Sequence, residues 1–342
     1  MLQKCDKLLL CYNPHHMKIL IFGAGGIGSV FGGFFARMGH EVSLLGRPWH
    51  LDAIRQNGLL ITGIWGDYRM KAFDLYDHAD EIRKRNIQFD LIFLTVKSYD
   101  TERAVDELVP LMNDNTTLVS FQNGLGNIET ILKKIKPEQY LTGRVIFGVE
   151  TQPGIAKVTV SADATMIGEL PGVKPRISAS TLAHIFNLCK IEAKAVPNIL
   201  TYIWAKVIYN CALNGICTLQ EIPYGKILET EATREEMKAV VRECYAVATK
   251  NGGTHDLAPR LEPPTAEAFI DLLITTLIPR TASHFPSMLQ DLRKGKRTDI
   301  DALNGAICRM GKALGILTPA NEKIVSLISA RPAGRRLRRK KI

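Results

Sequence analysis

The chain has 342 residues, 46% of them apolar and 23% charged, an ordinary globular composition that excludes disordered, collagen-like and disulfide-stapled classes. The net charge is +10, but seven Lys and Arg residues and no acid fall in the last twelve positions; ten less seven leaves only +3 for the rest, so the charge is a tail property and no specific nucleic-acid partner follows from it. The seven cysteines, at 5, 11, 189, 211, 217, 244 and 308, form no C-x-x-C pair and no zinc spacing, as expected for reduced thiols in a cytoplasmic protein without a bound metal.

Residues 1–16 carry only a short apolar run, Leu8 to Leu10, and read as an extension outside the fold, with no signal peptide. Ile19-Leu20-Ile21-Phe22 is a buried strand type, followed by a glycine turn and a helix to about Met38. The uncharged stretch Ile19 to Ala36 holds six glycines, a strand–turn–helix pattern and not a membrane span. Further strands are predicted at Val42 to Leu45, Leu91 to Val96 and Thr117 to Ser120, with a helix from Ser98 to near Asn113. Residues 155–170 alternate and read as antiparallel strands closing the domain. Strands separated by helices predict an α/β, Rossmann-type doubly wound sheet over 17–196. After Val196-Pro197 helical patterns dominate, at about 199–215, 231–250, 265–280, 285–294 and 300–314. They predict a C-terminal all-helical domain over 197–330, with 331–342 a disordered basic tail.

Gly23-Ala24-Gly25-Gly26-Ile27-Gly28 fits G-x-G-x-x-G, follows a buried strand and opens a helix, the context in which the pattern marks a dinucleotide site. Gly23 permits the tight turn, Gly25 lets the backbone approach a pyrophosphate, and Gly28 lets helix and strand pack closely. The end of the second strand reads Leu44-Leu45-Gly46-Arg47. An NAD site usually has an acid there for the ribose hydroxyl; Arg47 instead offers a fork of donors to a 2′-phosphate, so NADP(H) is the expected cofactor. Two further strand ends, Val96-Lys97-Ser98 and Phe121-Gln122-Asn123-Gly124, place Lys97 and Asn123 where ligands bind in open α/β sheets.

Lys206, Asn210 and Asn214 are spaced i, i+4, i+8 and fall within about 80° of arc on one helix. Leu200, Ile203, Val207 and Cys211 form an apolar stripe elsewhere on it. A solvated face would carry more long charged residues, so one lysine with two short amides suits a ligand groove better.

These residues together resemble the ketopantoate reductase (2-dehydropantoate 2-reductase) family over about 17–330. The likeness rests on the glycine turn, Arg47, Val96-Lys97, Gln122-Asn123-Gly124, the W-x-K-x-x-x-N-x-x-x-N helix, Pro286-Ser287-Met288, and Thr298-Asp299-Ile300-Asp301 before Asn304-Gly305. The resemblance implies NADPH-dependent reduction of 2-dehydropantoate to pantoate, a step toward pantothenate and coenzyme A. It implies Lys206 as the proton donor, Asn210, Asn214 and Ser287 as substrate-binding residues, and Asp299 near both substrate and cofactor. The implied partner is a small 2-oxo acid, with no membrane; a homodimer is left open. Asp299 stands where the family normally has glutamate, Tyr224 where it often has a further asparagine, and Gly143 to Phe147 lacks an expected alanine. Ser287 to Gln290 also fits a capping box, and Thr298 to Asp301 a capped helix start. Reduction of another 2-oxo acid, and a non-catalytic NADPH sensor, stay open as alternatives.

Overall fold

The computed structural model describes residues 16–251 and 261–331; the predicted extension up to residue 15, Cys5, Cys11 and the basic tail beyond Arg331 lie outside them. The chain separates into two compact units. The first comprises residues up to Val96, 100–122 and 129–199; the second comprises 97–99, 123–128 and the chain from Leu200 onward. The fold class is the one read from the sequence, an α/β sheet unit and a helical unit.

The first unit runs β1 (Lys18–Phe22), α1 (Gly26–Arg37), β2 (Glu41–Leu45), α2 (Pro48–Asn57), β3 (Leu59–Gly63), β4 (Tyr68–Met70), β5 (Asp74–Tyr76), α3 (Ala79–Lys84), β6 (Leu91–Leu94), α4 (Thr101–Leu108), β7 (Thr117–Ser120), α5 (Asn127–Leu132) from Glu129 on, β8 (Tyr140–Arg144), β9 (Phe147–Gln152), β10 (Ile155–Ser161), β11 (Thr165–Gly168), α6 (Ala179–Leu188) and β12 (Ala193–Ala195). The main sheet has the order β12-β11-β8-β7-β6-β1-β2-β5. All its pairs are parallel except β8 with β11. The chain leaves β1 toward β2 on one side and returns to β6 on the other, so the switch point of the winding lies between β1 and β6, where open α/β sheets bind ligands.

The segment 155–170 departs from expectation. Its two strands belong to different sheets: β10 lies in a second sheet of order β4-β3-β10-β9, whereas β11 joins the main sheet. Between them Asp163 turns the chain, accepting the Ala164 N–H at 2.9 Å and pairing with Arg144 at 2.9 Å. The second sheet packs on α1 because the helix there lacks side chains. A Cβ on Gly33 would stand 2.5 Å from Ile61 and 2.6 Å from Met70, and one on Gly26 3.0 Å from Val149.

The core of this unit centres on Phe31 of α1. Its ring meets Phe93, Phe121, Phe147 and Phe186 edge-on, at centroid distances of 6.0, 4.8, 5.8 and 5.1 Å, the arrangement aromatic quadrupoles favour.

The second unit holds α7 (Ile199–Gln220), α8 (Glu231–Asn251), α9 (Ala266–Leu272), α10 (Ser287–Arg293), α11 (Asn304–Leu314) and α12 (Pro319–Ser329). No strand follows β12 among the described residues. The helix expected over 265–280 is broken: Leu273–Leu277 is a π-helical stretch and Ile278–Arg280 a last α turn, because Pro279 has no N–H to donate and its ring clashes one turn back. Pro110 likewise ends the helix expected to reach Asn113, which closes as a 3-10 turn over Val109–Leu111. The helix expected from residue 300 begins as a 3-10 turn, Ile300–Ala302, and turns α-helical at Asn304. Helix α12 was not anticipated. A buried polar network holds it: Glu243 accepts the N–H groups of Ala320 and Asn321 at 2.8 and 3.0 Å, and Asn304 donates to Asn321 Oδ1 at 2.9 Å. Among the described residues the five cysteines are free, four of them buried, and no helix is long and apolar enough to cross a membrane.

Phe31 anchors four contacts at once, so Phe31→Ala should cost about 3–5 kcal/mol. Urea denaturation of the two proteins measures it; a loss under about 1 kcal/mol would show that the cluster is not the centre of the core.

Candidate active site

Each unit carries one group of the residues singled out from the sequence. In the first, the chain turns from β1 into α1 at Gly23, whose φ is +110°. A Cβ there would sit 2.8 Å from the Val96 nitrogen, and one on Gly28 2.4 Å from the Gly23 oxygen. Only glycine fits either place. The turn is pinned by Gly23 and Ala24 N–H groups donating to Leu45 O at 3.0 and 2.8 Å and by Thr95 Oγ1 donating to Gly23 O at 2.7 Å. Gly25 is different. A Cβ built on it meets nothing closer than 4.0 Å, so its backbone faces open space. Helix α1 starts at Gly26 with no acid in its first turn, and the amides of Gly26, Ile27 and Gly28 open that turn, where a helix has unpaired donors and the positive end of its dipole. This cradle fits a pyrophosphate.

Arg47 is the residue just before α2 and is exposed. Among the described residues its guanidinium pairs with no acid. Gly46 brings the two strand ends together: a Cβ on it would stand 2.9 Å from that of Ala24. One turn into α2, His50 is 1% exposed and Ser29 of α1 is fully buried. Their side chains meet at 2.9 Å, Nε2 to Oγ. Burial, outweighing the Gln152 carbonyl that acts the other way, holds the His50 pKa below the ordinary 6.5.

The second unit gathers the rest. Lys206, on α7, donates to Asn123 Oδ1. Asn210 and Asn214 follow on the same helix, 8% and 2% exposed. Among the described residues the Asn210 amide makes no hydrogen bond, and its polar atoms are not among those sealed from water, so they stay open to a polar ligand. Asn214 Oδ1 accepts the Tyr224 hydroxyl. Tyr224 is itself buried, edge-on to Tyr209 at 5.7 Å and beside His284 at 5.4 Å. The position where the sequence departs from the family's asparagine is thus occupied by a phenol serving Asn214.

Lys97 lies between two carboxylates, Asp291 Oδ2 at 2.7 Å and Asp299 Oδ2 at 2.8 Å. Burial pulls its pKa down, but Asp299 and Asp291 together more than reverse this, and the ammonium is held well above the ordinary lysine value. Asp299 Oδ1 accepts from Ser98 Oγ at 3.0 Å. The Asn123 loop is fastened to this cluster by the Leu125 N–H donating to Ala302 O at 2.8 Å, and Gly124, with φ +88°, leaves no room for a Cβ, which would lie 2.6 Å from Ala302. Lys206, Asn123, Asp299 and Lys97 therefore form one connected group. Ser287 does not act as a capping residue. Pro286 is the N-cap and Ser287 the first helical residue of α10, with no side-chain cap bond; it is exposed. Thr298 Oγ1 accepts the Ile300 N–H at 3.4 Å, ahead of the 3-10 turn.

Sequence reasoning missed Asp291 and His50. Asp291 follows Ser287 by one helical turn, a usable signal; the partners of His50 are 21 and more than 100 residues distant, and no spacing rule finds them.

A family model described as ketopantoate reductase PanE/ApbA matches residues 19–172, and one for its C-terminal part matches 198–332. The chain belongs to the ketopantoate reductase family. It is accordingly an oxidoreductase of the kind acting on CH–OH groups. It is 35% identical to a 2-dehydropantoate 2-reductase of Aquifex aeolicus (strain VF5) over 322 residues, 92% of this chain and 97% of that one. Its structure is similar to a PanE/ApbA family ketopantoate reductase from Ralstonia eutropha JMP134, with a TM-score of 0.79 at 31% identity over 92% of this chain and 97% of that one. It is also similar to a D-mandelate dehydrogenase in ternary complex with NADH and anilino(oxo)acetate, with a TM-score of 0.81 at 28% identity over 92% and 98%.

Proposed function

We propose that this protein reduces ketopantoate to pantoate, with NADPH as cofactor and Lys206 as proton donor. The observation carrying this reading is the α7 stripe: an ammonium resting on a neutral amide, followed at one-turn intervals by two amides almost wholly removed from water, one of them without a partner among the described residues. Such a row offers a polar ligand several donors and acceptors on one helix face.

The glycine turn and the amides opening α1 hold the pyrophosphate, and Arg47 the 2′-phosphate. Reduced nicotinamide, when bound, supplies a hydride to the keto carbon. As that carbon becomes an alcohol, charge builds on its oxygen; the Lys206 ammonium stabilises the charge and gives the oxygen a proton, and the lysine is later reprotonated from solvent. Asn123 holds Lys206 through Oδ1, leaving its own Nδ2 for the cofactor. Lys97 has a third N–H beyond the two used by Asp291 and Asp299, also for the cofactor. Asn210 and the Nδ2 of Asn214 serve the substrate's hydroxyl end, Ser287 at the start of α10 its carboxylate, and Asp299 supports both sides through Lys97 and Ser98.

A second reading has its own observation. Tyr224 occupies the acceptor of Asn214, and with Tyr209 and His284 gives that end an aromatic wall. A bulkier or aryl 2-oxo acid suits such a wall; the D-mandelate dehydrogenase relative carries anilino(oxo)acetate.

Three experiments test these assignments. Lys206→Ala should lower kcat by about 10²-fold or more while NADPH affinity changes little; turnover preserved within a few-fold removes the lysine as the acid. NADPH should bind more tightly than NADH, and Arg47→Ala should erase most of the difference, measured by titration; equal affinities in the unaltered protein refute the 2′-phosphate site. In a panel of oxo acids, ketopantoate should exceed 2-oxoisovalerate in kcat/KM by about 10²-fold, since the latter leaves buried polar groups unpaired. A higher kcat/KM for an aryl 2-oxo acid would select the second reading.

A further inference from the structure

We infer that His50 is a positioning residue for Arg47, fixing the spacing between the pyrophosphate cradle and the 2′-phosphate site. The inference rests on the assignment of Arg47 to that phosphate. The two anion sites belong to the starts of two helices, α1 and α2. A dinucleotide phosphate spans them with fixed internal distances, so the helix starts must hold their separation for both to engage at once.

The His50 ring is built for this. Its backbone N–H donates to Arg47 O at 3.0 Å, closing the first turn of α2 on the arginine itself. Its Nδ1 meets the β9–β10 turn at the Gly154 N–H, 3.1 Å away, and its Nε2 meets Ser29 Oγ at 2.9 Å, so the ring is held at both nitrogens. Ser29 is one turn from the glycine cradle, its own N–H donating to Gly25 O at 2.8 Å. A continuous chain of hydrogen bonds thus runs from Gly25 through Ser29 and His50 to Arg47, with the β9–β10 turn as its third anchor. Every side chain along it except that of Arg47 is buried, so water does not substitute for a lost partner. Gln152 O also lies 3.1 Å from Nδ1, so the turn meets the ring from two of its residues.

The test titrates NADPH and NADH into the full-length protein and four variants, and reads the ratio of the two affinities. His50→Leu removes both ring bonds; it should weaken NADPH by about ten-fold and NADH by less than about two-fold. Ser29→Ala removes the bond from the α1 side with a minimal change of volume and should shift the ratio in the same direction, which keeps the test open if the leucine variant folds poorly. His50→Gln, which can again hydrogen-bond to Ser29, should recover most of the preference. A purely structural histidine would weaken both cofactors alike, and that result in both His50→Leu and Ser29→Ala overturns the inference. Arg47→Ala separates the two levels: if it leaves the ratio unchanged, the 2′-phosphate assignment itself fails and the inference falls with it. If it erases the preference while His50→Leu and Ser29→Ala keep it, the positioning role alone fails.

Discussion

Between the ends of β1 and β6 there is no room for a methyl group. The Gly23 turn lies against the backbone of Thr95 and Val96, and Gly28 against the Gly23 carbonyl, so tightly that any Cβ would overlap main-chain atoms. Most of what is useful in the first unit follows from this contact. It lets the chain turn at the winding's switch point, starts α1 with its amides directed off the sheet, and sets the small-residue face on which the second sheet lies. The aromatic cluster around Phe31 then grips the same helix from below the turn. A rigid cradle is worth more to an anion than a mobile one, since none of the binding energy is spent on ordering it.

The second unit contrasts two lysines. Lys97 sits between two carboxylates, which hold its pKa above the ordinary lysine value. Lys206 donates to a neutral amide oxygen, which orients the ammonium. Both oxygens of Asp299 are engaged, by Lys97 and Ser98.

Features set by local spacing were legible in the sequence: the glycine turn, the arginine after β2, the i, i+4, i+8 row on α7, and the alternation of strands and helices. What escaped depends on residues distant in the chain. Strands β3 and β9 have mixed composition, and only their pairing through β10 makes a sheet of them. The service of Tyr224 to Asn214, the second carboxylate on Lys97 and the bridge through His50 are properties of the folded chain. Pro279 and Pro110 were visible as letters, yet the π-stretch and the 3-10 turn they impose show only where helical hydrogen bonds must be redirected.

The contact of Gly124 with Ala302 makes a lever. One backbone bond and one absent side chain set the distance between the loop bearing Asn123 and the segment bearing Asp299. Enlarging residue 302 would displace the loop, and with it the oxygen on which Lys206 rests. Changes of substrate range within such a scaffold therefore need not begin in the pocket. A methyl group added at a loop junction re-aims Lys206, and the geometry of the group can drift while every residue in it is retained.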